Sequence, residues 1–527
     1  MTDLLRNLIQ EAGAGKLSRR AFLTRAAALG VSAYFANTFY ASAAKAQEPQ
    51  RGGLLRAGLA GGSATDSLDP ALFSSPVPTC FGLSWGEPLV EVDSKGELQP
   101  ILAEEWEASK DAKVWTFKIR KGIQFHNGKE MTPEDVLATI QRHADANSKS
   151  GALGILQGIG DLKVDGQHLV VTLDAPNADL PFLLSDYHLL IQPNGGKDNP
   201  TAGIGTGPYK ITVNEPGVRH GGEKFANYWR HDRGFADQIE IIVINDATAR
   251  MAALQSGQVH MINRVEPKVV ELIKRFPGIT IRNTPGRGHY VFPARCDSAP
   301  LDNNDVRLAL KYALDREEMV QRILMGYGSV GNDTPINSAY PLFTALEQRT
   351  YDPDKAAFHY KKSGHSGPIV LRTSDVAFPG AVDAAALYQQ SAAKAGITIE
   401  VKREPGDGYW SEVWNKAPFC ASYWGGRPTQ DQMYSVAYYS KADWNDTAFR
   451  NERFDKLLVE ARAELDTEKR KTLYAEMGLI VRDEGGVIVP MFNDFIDATG
   501  PNVAGWIDDP NYEFSNWSAL NRCWLTA

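Results

Sequence analysis

Hydrophobic and polar residues alternate along several short stretches of the chain, and this two-residue period predicts half-buried β-strands. The pattern is clear where Trp115, Phe117 and Ile119 are separated by polar residues. The strands predicted in this way, or from short apolar runs, lie at 115–119, 169–173, 239–244 and 397–401.

A second pattern, with apolar residues three and four positions apart, predicts amphipathic helices. Thr132–Asp135 supplies a capping hydroxyl, a proline and two acids in the order of a helix start, and Val136 and Ile140 then share one face. Another helix is predicted from Asn304 to a stop at Gly326. The stripes that predict this helix and two later ones are Val306, Leu310, Ala313 and Leu314; Phe454, Leu457, Leu458 and Ala461; and Met477, Ile480 and Val481. Strands and helices alternate, which indicates an α/β protein with large lobes.

The length of 527 residues, with 43% hydrophobic composition, is too great for one core and fits two to three domains. The four cysteines are far apart and form no CxxC pair, which argues against a zinc or thioredoxin-like site. One or two disulfides and unpaired buried thiols both remain open. The cysteines are Cys80, Cys296, Cys420 and Cys523.

The net charge of the chain is −8, and an acidic surface disfavours nucleic acid as a partner. The charge does not restrict a small ligand, which responds to its own pocket.

The N-terminus carries the signals of a secretory leader. Ser18–Leu23 resembles the twin-arginine export motif, a weakly apolar stretch follows at 26–44, and Ala44-Lys45-Ala46 gives a small-x-small cleavage pattern. We therefore predict that residues 1–46 are a signal peptide and that the mature chain is periplasmic. A basic amphipathic helix that stays attached is the alternative.

Many short segments of the mature chain occur in the order and spacing of one known family. They are Leu68–Ala71, Glu87–Val90, Leu98–Trp106, Trp115–Gly122, Phe125–Gly128, Gly205–Tyr209, Asn227–Trp229, Ala253–Val259, Asp305–Leu310, Ala313–Glu317 and Tyr351–Ala356. Each segment alone is a weak signal, but together they resemble the solute-binding proteins of the peptide/nickel/opine ABC importers (family 5).

The resemblance implies the fold: a two-lobed α/β periplasmic binding protein of type II, in the large cluster that has an extra subdomain. It also implies a discontinuous first lobe and two chain crossings that form a hinge. The expected boundaries are 1–46 signal peptide, 47–86 first part of lobe 1, 87–203 extra subdomain, 204–294 second part of lobe 1, 295–494 lobe 2 and 495–527 return to lobe 1.

The resemblance further implies a monomeric receptor that encloses a peptide or other small polar solute and delivers it to an inner-membrane ABC permease, without a cofactor. An opine-like compound or an anionic metal chelate is an alternative solute. An enzyme or a periplasmic chaperone on the same scaffold is the alternative of another class. The chain contains no G-x-S-x-G, H-E-x-x-H or Walker pattern, so a receptor is favoured.

Candidate ligand chemistry is concentrated in one segment that, by family likeness, reaches the cleft. Peptide-binding members commonly carry an aspartate three residues after a tryptophan, but here that spacing from Trp424 gives Arg427. A guanidinium binds carboxylate or phosphate through two parallel bonds, so we predict a ligand with an anionic group at Arg427. The alternative is that Arg427 pairs with Asp431 or another internal acid and only shapes the loop. Asp431 is itself a further candidate ligand residue.

Other candidate ligand residues surround this segment. Tyr423 and Trp424 are predicted to form a flat apolar wall, although packing between the lobes would explain them equally well. Backbone groups of Gly425 and Gly426 are predicted to approach the ligand. Four more candidates are weaker: Tyr290 at the border of the cleft, Arg287 as a second anion contact, and Phe81 with Trp85 as a wall in lobe 1.

A metal site is not predicted. The ten histidines are scattered, and the closest interesting pair, His359 and His365, has poor spacing for one helical face and is expected to lie in a loop.

Overall fold

A computed structural model describes residues 19–28, 48–406 and 409–526. We use "lobe 1" for residues 48–86, 204–294 and 495–526, "extra subdomain" for 87–203 and "lobe 2" for 295–494; these boundaries remain predictions. The predicted cleavage site at 44–46 and Ser18 of the export motif lie outside the described residues.

The alternating segments form strands where they were predicted, at β5, β7, β10 and β15 of the following set. The strands are β1 (Leu54–Leu59), β2 (Val90–Val92), β3 (Leu98–Pro100), β4 (Ala103–Ala108), β5 (Val114–Ile119), β6 (Ile159–Asp165), β7 (His168–Leu173), β8 (Tyr209–Glu215), β9 (Arg219–Lys224), β10 (Gln238–Val243), β11 (Met261–Ile262), β12 (Thr280–Pro293), β13 (Gly328–Val330), β14 (Ile369–Thr373), β15 (Ile399–Arg403), β16 (Ser422–Trp424), β17 (Val487–Thr499), β18 (Val503–Ala504) and β19 (Trp524–Leu525).

Most predicted helices are also present. The helices are α1 (Arg19–Ala28), α2 (Pro76–Trp85), α3 (Pro133–Ala144), α4 (Leu153–Leu156), α5 (Leu180–Leu183), α6 (Ala247–Gln255), α7 (Val270–Ile273), α8 (Asn304–Tyr312), α9 (Arg316–Arg322), α10 (Pro353–Ser363), α11 (Ala381–Ala393), α12 (Tyr409–Glu412), α13 (Gln430–Ala437), α14 (Glu452–Ala463), α15 (Thr467–Glu484), α16 (Glu513–Asn516) and α17 (Ala519–Arg522), with short 3-10 turns at Pro70–Leu72, Pro193–Gly196 and Pro267–Val269.

Two of the helix predictions are informative in detail. Helix α3 begins where predicted, with a capping box in which Thr132 and Asp135 bond reciprocally. The single helix predicted from Asn304 to Gly326 is wrong. It ends at Tyr312, and α9 starts after Asp315, whose side chain accepts the backbone N–H of Glu318 as a new N-cap.

A nine-stranded sheet runs through both lobes in the order β16-β12-β17-β11-β1-β10-β9-β8, with β13 added beside β17. Strands β12 and β17 are long and antiparallel and pair from Thr280 with Thr499 to Pro293 with Val487. Their register shifts between Pro285 and His289, and such irregular pairing bends strands locally. These strands are the two crossings that connect the lobes.

Each part of the molecule has its own hydrophobic core. The four-stranded antiparallel sheet β4-β5-β7-β6 and helix α3 enclose the core of the extra subdomain. Lobe 1 is built around β1 and β10, which are parallel, together with α2 and α17. Lobe 2 contains two apolar clusters, one around α8 and α11 and one around α13, α14 and α15.

The structure shows the state of the four cysteines and the location of His359. All four cysteines are free thiols, so unpaired thiols are found rather than disulfides. His359 lies within α10, not in the expected loop, and its Nδ1 is 2.7 Å from Oδ1 of Asp305. Among the described helices, none has the length and apolar composition of a membrane span.

Candidate functional site

The segment that carries the predicted ligand chemistry begins on β16, an edge strand paired with β12. Because side chains alternate along a strand, Tyr423 is 51% exposed while Trp424 is buried among Trp414 and Trp444. Tyr423 therefore presents an exposed ring, whose role as a ligand wall stays a prediction, and Trp424 packs within lobe 2.

The two glycines after Trp424 have different roles. A Cβ on Gly425 would meet no atom within 4 Å, so this backbone faces open space. Gly426 has a φ of +80°, and a Cβ there would lie 2.5 Å from the Cβ of Arg287. The left-handed conformation and the close approach both require glycine. Gly426 thus fixes the turn that presents the next residue.

Arg427 projects from this turn and lacks an acidic partner. Its Nη1 donates to the carbonyl of Gly426 at 2.6 Å, and its guanidinium lies 5.7 Å from the centroid of the Trp424 ring. Its own backbone N–H donates to the Tyr340 hydroxyl at 3.0 Å. Within the part of the chain that the structure describes, no carboxylate lies within 4.0 Å of this guanidinium, so its charge is uncompensated at close range.

Arg287 supports this loop from the hinge strand β12. It is 1% exposed, donates from Nε to the Ala339 carbonyl at 2.9 Å, and lies 5.1 Å from the Tyr340 ring centroid. Its Nη1 is 3.4 Å from the carbonyl oxygen of Arg427. Burial lowers the pKa of Arg287. These contacts make Arg287 a support for the turn. Its Nη2 has no hydrogen-bond partner among the described residues, so a second anion contact here stays a prediction.

Lobe 1 and the extra subdomain supply the opposite wall, which includes Asp186, Tyr187, Tyr512 and Trp517. Tyr512 and Trp517 stack with ring centroids 4.0 Å apart, and Tyr187 meets Trp517 edge to face at 5.0 Å. The positive charge of Arg427, in lobe 2, influences Tyr512 on this opposite wall. Burial raises the pKa of Tyr512, and Arg427 opposes that shift.

Asp186 is an acid of this wall whose pKa is lowered by the charge of Arg427. Its carboxylate already has a partner in His188. Nδ1 of His188 lies 2.6 Å from Asp186 Oδ1, and Nε2 lies 2.8 Å from the Phe73 carbonyl. Both ring nitrogens lie within hydrogen-bonding distance of an acceptor, an arrangement that favours the doubly protonated imidazolium. Burial lowers the pKa of His188, but Asp186 outweighs that effect and raises it. The positive charge of Arg427 therefore remains in excess.

A cavity of about 90 Å³ lies behind this wall. Pro428 of lobe 2 closes it, and the other lining residues come from 83–233 and 511–521. At about 30 Å³ per water molecule, it holds about three waters. Its contact with Pro428 next to Arg427 shows that the crevice between the lobes extends inward.

A strained turn positions part of the wall. Phe514, Ser515, Asn516 and Trp517 have φ values of 56°, 56°, 57° and 52°, a left-handed conformation that is unfavourable by about 1–2 kcal/mol per residue. The backbone N–H of Phe514 donates to Asp497 at 2.8 Å, which helps to hold the turn. Strain of this kind concentrates at functional sites, and here it directs Trp517 toward Tyr512.

Asp431 belongs to a contact between the lobes and does not face Arg427. It is 3% exposed, and its Oδ1 accepts from Arg462 Nε at 3.1 Å. Next to it, Arg470 of lobe 2 donates to Asp179 of the extra subdomain at 2.6 Å. The Ala178 N–H also donates to the Arg462 carbonyl at 2.7 Å. The alternative of an Arg427–Asp431 pair is thus wrong, and so is Asp431 as a ligand residue.

Three remaining candidates are also resolved. Phe81 and Trp85 are 1% and 0% exposed within the lobe 1 core, so the prediction that they form a cleft wall is wrong. Their apolar character reflects burial of α2. Tyr290 stacks on Phe378 with ring centroids 4.2 Å apart, and its strand position pairs with Tyr423. Its place at the border of the cleft stays a prediction.

Sequence reasoning missed the wall around Tyr187, Asp186, Tyr512 and Trp517. These residues are separated by more than 300 positions in the chain, and the signal that marks them is the crowding of aromatics and turn residues near the C-terminus. Among the described residues, no cluster of three or more His, Cys, Asp or Glu side chains could hold a metal.

Two lobes joined by two strands, with a polar crevice between them, define a binding protein of the periplasmic receptor class. The chain belongs to the bacterial extracellular solute-binding proteins, family 5: the model of the family's middle region matches residues 97–446.

Individual relatives agree with this assignment. The chain is 25% identical to the dipeptide-binding protein of Escherichia coli over 471 residues, covering 80% of this chain and 86% of that protein. It is 24% identical to the glutathione-binding protein of Shigella boydii over 476 residues, covering 86% and 92%. The structure of AgaA from A. tumefaciens R10, in complex with agropinic acid, superposes with a TM-score of 0.77 at 23% identity, covering 90% and 99%.

Proposed function

We propose that this protein is the substrate-binding component of an ABC importer and captures a small polar solute through an anionic group at Arg427. The fold and the family support the transport role, and the site supports the charge of the solute.

The observation that carries the charge assignment is the uncompensated Arg427. Its guanidinium has no carboxylate within 4.0 Å in the described part of the chain, while Asp186, whose pKa Arg427 helps to lower, already contacts His188. A carboxylate placed at Arg427 would gain two charge-assisted hydrogen bonds. Truncating one partner of such a desolvated pair costs about 2–5 kcal/mol. An ammonium group at this position would be repelled.

The lobes contribute differently to binding. Lobe 2 provides Arg427 and the exposed ring of Tyr423, while lobe 1 and the extra subdomain provide the aromatic wall of Tyr512 and Trp517. A solute that touches both walls makes more contacts in the closed form than in the open one. Such differential binding is what shifts the equilibrium toward closure. The closed form would then be the one presented to the permease.

Relatives narrow the chemical class of the solute. The related proteins bind a dipeptide, glutathione and agropinic acid by name, and we propose a carboxylate-bearing peptide or peptide-like solute for this chain. An opine-like compound satisfies Arg427 equally well. An anionic metal chelate would also fit, held through its carboxylates.

We further propose that the protein works as a monomer in the periplasm, reached by the twin-arginine route, and leaves its solute chemically unchanged. The Ser18–Leu23 pattern supports the route. Family membership supports the location and the binding role.

Native mass spectrometry of gently purified protein tests this proposal. We expect a bound species that carries at least one acidic group and that is released unchanged on denaturation. An Arg427→Ala variant purified in parallel should retain much less of it. A co-purified solute without any acidic group, or one converted to a product, would contradict the proposal.

A further inference from the structure

Lobe 2 contains a second cavity, whose described lining residues all belong to that lobe. Its volume is about 240 Å³, room for about eight water molecules at about 30 Å³ each. Its rim is exposed, with Ser329, Ser338, Thr344 and Gln348 among its members. The floor is buried and includes Thr334, Ile336, Gln430, Tyr434, Tyr474, Gly478 and Phe492.

The lining of this cavity is polar but uncharged. Of the described residues that line it, none is Asp, Glu, Lys, Arg or His. Hydroxyls and carboxamides face aromatic and aliphatic groups such as Phe343, Leu346 and Tyr474. A charged ligand would lose hydration here without a counter-charge. A neutral molecule with several hydroxyls and apolar C–H faces matches the lining.

Several lining groups retain unused hydrogen-bonding capacity. Tyr434 and Thr334 face each other, and Thr334 lowers the otherwise raised pKa that burial gives Tyr434. Thr334 Oγ1 has no hydrogen-bond partner among the described residues, so this hydroxyl can both donate to and accept from a ligand. The Tyr474 hydroxyl accepts from Arg470 at 3.0 Å, which leaves its own O–H to donate. Gln430 uses its amide N–H on the Pro341 carbonyl at 2.9 Å, so its carbonyl oxygen can accept.

A helix glycine keeps the floor open. Gly478 lies inside α15, where glycine is unfavourable by about 1 kcal/mol relative to alanine. A Cβ at this position would lie 3.1 Å from Leu346 Cδ1 and 3.3 Å from Tyr434 Oη. The missing side chain therefore accounts for part of the space between these groups.

We propose that this cavity is a second ligand site, specific for a neutral polyhydroxylated molecule of the size of a monosaccharide. The described lining residues all belong to lobe 2, and several residues of the rim are exposed. The proposal is independent of the anionic solute proposed for the crevice.

Saturation-transfer difference NMR with the full-length protein tests the site. The probes are D-glucose, D-galactose, D-ribose and glycerol at millimolar concentration, with D-glucuronate and D-glucosamine as charged comparators. We expect saturation transfer to at least one neutral probe and weaker transfer to its charged analogues. The absence of transfer to all four neutral probes would overturn the proposal.

Variants locate the binding. Gly478→Ala should lower the affinity for the neutral probe by about tenfold or more, because one added methyl group overpacks the floor of the cavity. Thr334→Val, which removes a hydroxyl at similar size, should weaken it severalfold and provides a second readout if the alanine variant unfolds. Arg427→Ala is the matched control and should leave sugar binding unchanged. Equal binding by the wild type and both cavity variants would refute this site, whatever happens at Arg427.

Discussion

The ion pair between Asp179 and Arg470 joins the extra subdomain to lobe 2, and we expect it to control how readily the molecule opens. The two side chains are 2% and 11% exposed and lie 2.6 Å apart. Replacing Arg470 by Met keeps the aliphatic stem but leaves the Asp179 carboxylate buried without a partner in the closed form. In the open form the same carboxylate is hydrated.

Leaving one member of a buried pair alone is unfavourable by about 3–5 kcal/mol. Because the lobes can separate, the variant relieves this penalty by opening. At 1.4 kcal/mol for each factor of ten, the closed form should lose at least about one hundredfold in relative population. Small-angle X-ray scattering should therefore show a larger radius of gyration for Arg470→Met than for the wild type. Solute affinity should fall by a similar factor, since binding requires closure.

The double variant Asp179→Ala with Arg470→Met is the decisive control. It removes both charges, so no unpaired group remains buried, and most of the closure should return. If Arg470→Met scatters like the wild type, or if the double variant is as open as the single one, the pair does not couple the lobes and the reasoning is refuted.

Three further predictions concern stability, each measured by chemical denaturation. Burial raises the pKa of Asp446 from 3.8 to about 7. The protonated Asp446 therefore contributes fully to the free energy of unfolding below pH 4, and this contribution is lost as the pH rises to 7. Asp446→Asn should match the wild type at pH 4 and be more stable by about 4 kcal/mol above pH 7. Equal pH profiles would contradict this. Gly426→Ala should destabilise by about 1–3 kcal/mol, because its Cβ would lie 2.5 Å from Arg287 Cβ at a φ of +80°, and an unaffected midpoint would show that the turn adapts. Glu87→Leu should destabilise by about 1–3 kcal/mol, because the buried Thr206, Tyr228 and Trp229 donors would lose the acceptor that Glu87 gives them; an unchanged midpoint would contradict this.

Local sequence patterns predicted most helices and strands, because the formation of each one depends mainly on residues that are close together in the chain. The alternation around Trp115 gave β5, and the order of residues at Thr132–Asp135 gave the start of α3. The break between α8 and α9 was missed because the apolar stripe continues through Ala313 and Leu314, while the Asp315 cap that starts a new helix acts locally.

The site was predicted only in part, and the reason is also physical. Arg427 could be proposed as a ligand residue because its spacing from Trp424 lies within one loop. Its partner wall combines Asp186 with Tyr512, and only the tertiary fold brings these distant segments together. Phe81 and Trp85 were misassigned because an aromatic residue has the same sequence pattern whether it faces a ligand or a core.

The central claim is that Arg427 holds the anionic group of a solute enclosed between the lobes. Isothermal titration of the co-purified solute into wild-type and Arg427→Ala protein tests this most directly. We predict that affinity falls by about thirtyfold or more, as expected for about 2–5 kcal/mol. Equal affinity for the two proteins would contradict the claim.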